Sequence, residues 1–334
     1  MDIKELFATT ANSLYLLDAY AFLRRKITKS HVAILAYHRI CPATDNWVRN
    51  SISPPSFEKQ IQYISRYYNV MSLDELAQYI RLKNTLPEKS IAVSFDDSYR
   101  DIYTYAYPIL KKYNVPATIF LNTGNIKNRS LYWWDEVQYS IKNTNTTQIN
   151  LDEIGNYNLQ PESNKFRVAF TVVSRLKKLS EKRKNLLVGK LIEECQVDIP
   201  DNLGRELILT WNEIKEMSNS GISFGTHAVN HLCLTDILLE SAKYEITQSK
   251  KDIEENLGVK ITAFAYPYGD CNPELTDFVK AAGFNCAVSV SLGKLINIKD
   301  SPYMLSRISP PQSFGKFKAI LCGLWGDLVT IFSF

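Results

Sequence analysis

Seven short apolar, β-branched runs recur along this chain, at 32–37, 90–95, 116–121, 222–226, 262–266, 285–289 and 303–308. The stretches between them carry helical patterns. Short apolar runs that alternate with helices form parallel strands, because a parallel pair needs a crossover connection and the helix supplies it. The expected architecture is therefore α/β with a mainly parallel sheet. Local punctuation agrees. Ser72 with Glu75 and Thr210 with Glu213 form capping boxes ahead of predicted helices 73–82 and 211–220. Gly221 stops the second of these, and Asn272, Pro273 and Gly283 bracket a third as cap, first residue and stop. Phe57, Ile61, Ile64 and Tyr68 mark the apolar face of a fourth.

The rhythm breaks at about 128–206, where a polar, Asn-rich loop (143–164) precedes a Lys-rich amphipathic pattern. This reads as a helical insertion. A chain of 334 residues suits two domains or one α/β barrel, and no linker cuts it cleanly. A net charge of +4 is too weak to indicate nucleic acid, and Lys177–Lys190 is spaced as a solvated helix face. The six cysteines include no C-x-x-C pair, which excludes a zinc ribbon and points to reduced thiols in or near the core. Asp2, Glu5 and Asp18 spoil a signal peptide, so a cytoplasmic location is expected. Residues 317–334 are apolar, but Lys318 and Asp327 favour a docked terminal helix, with peripheral membrane contact as the alternative.

The chemistry gathers at run ends. Asp96 and Asp97 close the run IAVSF, and an unpaired buried charge is too costly to stand there without a partner. Two of only four histidines, His227 and His231, lie in THAVNH, and the pair directly follows the run GISFGT. Their spacing puts both imidazoles on one side of a helix or tight loop, able to share a metal. In a parallel barrel all strand C-termini open on one face, so these groups meet. One carboxylate and two imidazoles leave coordination positions open, as catalytic metal sites do. A third run ends in FAYPYGD (264–270), whose Pro-Tyr-Gly turn by itself reads as a plain turn, the alternative being that it aims backbone N–H groups and the Tyr268 ring into the same mouth.

These residues resemble the polysaccharide deacetylase family, the NodB-homology group of carbohydrate esterases. SFDD (94–97), THAVNH (226–231) and YPY (266–268) are similar to its first three motifs, in the same order. The flanking segments YPILKKYNVPATIFL (107–121), LYWWDEV (131–137) and LTWNEIKEMSNSGISFGTH (209–227) agree. The resemblance implies a distorted (β/α) barrel of about seven strands spanning 31–310. The helical insertion at about 128–206 lies within it, an N-terminal helical extension (1–30) is expected before it, and an apolar C-terminal helix (311–334) after it. It also implies metal-dependent hydrolysis of N-acetyl groups on an acetylated oligo- or polysaccharide. By this resemblance Asp97, His227 and His231 would bind a divalent metal such as Zn²⁺, Asp96 would be the general base, and the backbone N–H of Tyr268 would help hold the oxyanion.

The chain departs from the family pattern at several positions. No histidine follows His231 to serve as the late-motif acid, and His38, at the end of the first run, is the candidate substitute, with a capping or surface histidine as the alternative. Phe264 stands where the third motif usually has an arginine that sets the base's pKa. Arg307 is the replacement candidate, and a surface-paired arginine is the alternative. Ser98 replaces a glycine and Ala228 a Ser or Thr, which predicts a looser turn and a lost loop hydrogen bond. Tyr37, Trp133, Trp134 and Tyr268 are candidates for stacking on sugar, with a core role preferred for the two tryptophans. Asp135 is either a carboxylate behind the ligands or a helix cap. Rival readings are an amidohydrolase on a non-sugar N-acyl substrate, or a glycan- or metal-binding protein without turnover. A paired-carboxylate glycosidase is disfavoured, since adjacent aspartates on a strand point opposite ways.

Overall fold

A computed structural model describes residues 31–42, 47–48, 50–290, 295–297 and 300–323. The expected N-terminal extension and the last part of the expected C-terminal helix lie outside the described residues. The chain divides into two compact units, Met1–Gly124 with Leu209–Phe334, and Asn125–Ile208.

In the first unit seven parallel strands follow one another around a ring. They are β1 (His31–Tyr37), β2 (Ser90–Phe95), β3 (Thr118–Leu121), β4 (Ser223–Thr226), β5 (Ala263–Ala265), β6 (Cys286–Val290) and β7 (Leu305–Arg307). Sequence order is spatial order throughout. A bridge from Leu35 to Ile308 closes the ring, with Ala36 N–H donating to Ile308 O (2.9 Å) and Ile308 N–H to Ile34 O (2.8 Å). Short strands Asn69–Val70 and Ile296–Asn297 flank β2 and β1. The barrel expected from the sequence is thus present.

Among the described residues this unit carries helices α1 (Pro54–Tyr67), α2 (Leu73–Arg81), α3 (Tyr107–Lys112), α4 (Trp211–Asn219), α5 (Leu239–Leu257), α6 (Pro273–Ala281) and α7 (Phe314–Leu321). Both predicted capping boxes form, at Ser72 and Thr210, and Asn272 caps α6.

Strand alternation sorts the residues into two faces. Val32, Ile34, Ala92, Phe120, Ala263, Ala265, Cys286, Val288 and Leu305 form one buried cluster with Leu73, Leu76, Ala77 and Ile80 of α2. Asp96 and Arg307 share the parity of Ala92 and Leu305, so they continue this inward layer toward the strand C-termini. The opposite face of β1 and β2 meets α1. Tyr37, Phe57 and Phe95 pack with centroids 5.0–5.8 Å apart. Burial on both faces explains why β2 reads as a continuous apolar run.

The described part of the C-terminal segment, α7, buries Phe317, Ala319, Ile320 and Leu321, and Phe314 packs edge-on against Tyr63 of α1 (5.5 Å). Its apolar side therefore covers the protein. No helix among the described residues is long and apolar enough to cross a membrane.

The second unit holds helices Trp133–Asn143, Ser163–Leu176 and Glu181–Cys195. The polar stretch expected to be a plain loop contains an antiparallel hairpin, Gln148–Asn150 with Asn156–Asn158. Turn-forming Asp152 (φ 47°) and Gly155 (φ 111°) close it, which an Asn-rich composition does not reveal. Trp134 stacks on Tyr132 at 4.5 Å, and both tryptophans are half-buried. Asp135 lies in the first turn of its helix, its N–H bonded to Tyr132 O.

Candidate active site

Asp96 and Asp97 follow β2, and ordinary strand alternation would send Asp97 to the outer face with Phe95. It does not go there. Asp97 (φ 71°) and Ser98 (φ 44°) are left-handed, and this turn swings the second carboxylate back beside the first. The left-handed step explains how adjacent aspartates come to face one group, His227. Its Nε2 lies 3.9 Å from Asp96 Oδ2 and 3.7 Å from Asp97 Oδ1. Ser98 does not leave the turn loose, because its hydroxyl accepts the Asn122 N–H (2.9 Å) and its carbonyl accepts the Leu209 N–H (2.9 Å).

His227 and His231 sit on an irregular loop after β4, not on a helix. Ala228 (φ 65°) and His231 (φ 55°) are left-handed, which folds the loop so that the imidazoles meet edge to face at 4.8 Å. His227 Nδ1 lies 2.8 Å from the carbonyl of Ala265, at the end of β5. A carbonyl only accepts, so Nδ1 carries the proton and the Nε2 lone pair is left for the site. Burial pushes the His227 imidazole down to about 4, against the pull of Asp96 and Asp97, so the ring is neutral near neutral pH. His231 Nε2 is 3.3 Å from Asp97 Oδ1.

The donor atoms of Asp97, His227 and His231 lie within 4.8 Å of one another, and all three residues are buried. One hard carboxylate and two imidazoles in that compass fit a divalent ion of mixed N/O preference, with positions left for other ligands. Burial opposes ionisation of Asp97, yet the hydrogen bond and charge of His231 hold its carboxyl well below the usual range.

Asp96 faces the opposite wall. Arg307 Nη1 donates to Asp96 Oδ1 (2.7 Å) and Nη2 to Oδ2 (2.6 Å). The guanidinium has no exposed surface and also donates to Ser94 Oγ (3.2 Å) and to the Ser289 carbonyl (3.3 Å). The surface-pair alternative for Arg307 is thereby excluded. Burial alone would raise the Asp96 carboxyl; Arg307, with His227 and His38, outweighs it and holds the carboxyl below its usual value.

His38 follows β1 with inward parity, and its Nε2 is 3.9 Å from Asp96 Oδ2 on a side chain 20% exposed. Tyr268, in a left-handed step (φ 60°) after β5, sets its ring edge-on to His231 at 4.7 Å. The seven candidates for catalysis and metal binding, Asp96, Asp97, His227, His231, His38, Arg307 and Tyr268, therefore lie together at the strand C-termini of one barrel.

Tyr37, a candidate stacking residue, points away from this site. Its parity places the ring on the outer face, 1% exposed, with the hydroxyl donating to Gln60 Oε1 (2.8 Å). It cannot stack on a sugar. Sequence reasoning also missed Asn122. Its amide bonds the His227 carbonyl while its N–H bonds Ser98, tying the aspartate turn to the histidine loop. Its only sequence signal is a polar residue directly after an apolar run.

Comparison with known proteins decides the family. The family profile described as "Polysaccharide deacetylase" matches residues 83–149 and 166–287, more than half of the chain. The chain belongs to the polysaccharide deacetylase family. The deacetylase is thus a hydrolase of carbon–nitrogen bonds other than peptide bonds. It is similar to YxkH of Bacillus subtilis, named as a polysaccharide deacetylase, at 23% identity over 293 residues, 86% of this chain and 75% of that protein. A shorter match, 32% identical over 127 residues, joins 34% of this chain to 43% of the poly-β-1,6-N-acetyl-D-glucosamine N-deacetylase of Staphylococcus aureus. Among solved structures, the deacetylase shares its fold with IcaB from Ammonifex degensii (TM-score 0.58, 19% identity, 87% of this chain and 97% of that one). It likewise shares it with the Streptococcus pyogenes deacetylase PplD (TM-score 0.57, 21% identity, 84% and 92%).

Proposed function

We propose that this deacetylase hydrolyses N-acetyl groups on N-acetylhexosamine units of a glycan and releases acetate. The observation that carries the reading is the division between the two carboxylates. Asp97 faces His227 and His231, and Asp96 is gripped by Arg307. The N-acetylglucosamine polymer named for the staphylococcal relative supports the choice of glycan.

Asp97, His227 and His231 would hold the divalent ion, and Zn²⁺ suits their donor set. Such an ion supplies Lewis-acid polarisation of the amide carbonyl and makes water a better nucleophile. Asp96 accepts the proton of the attacking water on a carboxylate oxygen. Arg307 keeps that carboxylate ionised beforehand and fixes its plane. His38, whose Nε2 faces Asp96, gives a proton to the leaving amine. The Tyr268 N–H donates to the developing oxyanion.

The test is acetate release by zinc-loaded protein from β-1,6- and β-1,4-linked N-acetylglucosamine oligomers. Appearance of free amine with equimolar acetate is expected. A zinc-replete, folded protein that deacetylates simple N-acyl amides and no sugar would instead identify a non-sugar amidohydrolase.

A further inference from the structure

We infer that Glu245, on α5 and outside the ligand set, is the positioning residue that fixes the histidine loop. Glu245 is 3% exposed. Its Oε2 accepts the N–H groups of Val229 (2.9 Å) and Asn230 (2.8 Å), and its Oε1 accepts Asn230 Nδ2 (2.7 Å). All three donors lie between His227 and His231. A buried carboxylate needs its bonds satisfied, and here that requirement falls on the segment joining the two imidazoles.

The loop needs such a hold. Ala228 and His231 are non-glycine residues in left-handed conformation, which persist only where the surroundings determine them. Ala228 has no polar side chain to bond the loop to itself. One turn along α5 from Glu245, Ser249 Oγ bonds Thr226 Oγ1, just before His227. Three residues further, Asp252 Oδ2 accepts Thr123 Oγ1 (2.7 Å). Residues 245, 249 and 252 thus form one polar stripe at helical spacing under the strand-end loops.

From the other side Gly124 N–H donates to Val229 O (2.9 Å). A Cβ at Gly124 would come within 2.7 Å of Asn230 Oδ1 and 2.9 Å of Val229 O. The loop is held between α5 and the start of the segment after β3. Partners behind metal ligands set the orientation of those ligands. Glu245 does so through the backbone and not through an imidazole nitrogen.

The inference rests on the metal reading of Asp97, His227 and His231. Zn²⁺ dissociation constants from chelator competition, for wild type, Glu245→Ala and Glu245→Gln, test it. Glu245→Ala is expected to raise the constant by about 10–100-fold, the usual cost of losing a partner behind the ligands. Glu245→Gln, which keeps one carbonyl oxygen, is expected to raise it less, by at least about threefold. Ile253→Val, a buried change on the same helix, is expected to leave it unchanged although stability falls.

Amide exchange in the unmodified protein reads the same contacts without a variant. Val229 and Asn230 N–H are expected to be protected like strand amides, and exchange at free-loop rates overturns the inference. Wild-type protein that takes up no zinc overturns the metal reading, and this inference with it. Zinc-binding wild type alongside a folded Glu245 variant of equal affinity overturns the inference alone.

Discussion

Arg307 clamps both carboxylate oxygens of Asp96, at 2.7 and 2.6 Å, from a position 211 residues further along the chain. The pair is fully buried, and its geometry is the bidentate fork that only arginine offers. Lysine at 307 would keep the charge and lose the plane.

Arg307→Gln leaves a buried carboxylate without its cation. Breaking one side of such a pair costs about 3–5 kcal/mol, readable in urea unfolding. With Arg307 gone, burial is no longer outweighed, so the Asp96 carboxyl rises. Protonation then sets in at higher pH, and the low-pH limb of kcat/KM is expected to move upward. In the wild type the sign is the reverse. Asp96 is depressed in the fold, so its stabilisation is present above the unfolded value of about 3.9 and is lost as pH falls through the folded one. An acid limb that stays put in folded Arg307→Gln would sever the link between the two residues.

Asp96 and Asp97 are expected to fail in different ways. Asp97→Ala removes one of the three proposed buried ligands, so zinc content measured by atomic emission should drop toward zero. Asp96→Asn should keep the metal and lose about 10²–10⁴ in kcat, the worth of a general base. Chelation of the wild type should abolish turnover, with recovery on adding Zn²⁺. Loss of metal in Asp96→Asn with retention in Asp97→Ala would reverse the assignment.

His38 stands across the barrel mouth from the histidine pair. His38→Ala is expected to retain zinc and unfold at the wild-type denaturant midpoint, because its side chain is partly exposed. Its rate should fall by about 10²–10⁴. A rate equal to wild type would remove His38 from the chemistry.

Tyr37 offers a control for the outer face. Tyr37→Phe leaves Gln60 Oε1 without its donor, which costs about 1–3 kcal/mol of stability. KM for a glycan oligomer is expected to be unchanged. A raised KM would bring Tyr37 back to the sugar site.

The local grammar of the chain already determines most of the barrel. Capping boxes at Ser72 and Thr210, the cap at Asn272 and the apolar runs act over a few residues, and the elements they punctuate appear where expected. Strand parity is equally local. It alone separates inward Asp96 and His38 from outward Tyr37, once the inner face is known. Asp96, Asp97, His227 and His231 stand out in the sequence as carboxylates and imidazoles at the ends of apolar runs, whereas His38, Arg307 and Tyr268 are candidates through the family resemblance.

The tertiary structure alone decided how they face one another. The left-handed steps at Asp97 and Ala228 turn the site side chains, and the fork of Arg307 onto Asp96, the Ala265 carbonyl on His227 and the grip of Glu245 on the histidine loop join different elements of the fold. Each depends on which strand ends become neighbours when the ring closes. That is a property of packing and buried polar satisfaction, which no short window of residues encodes.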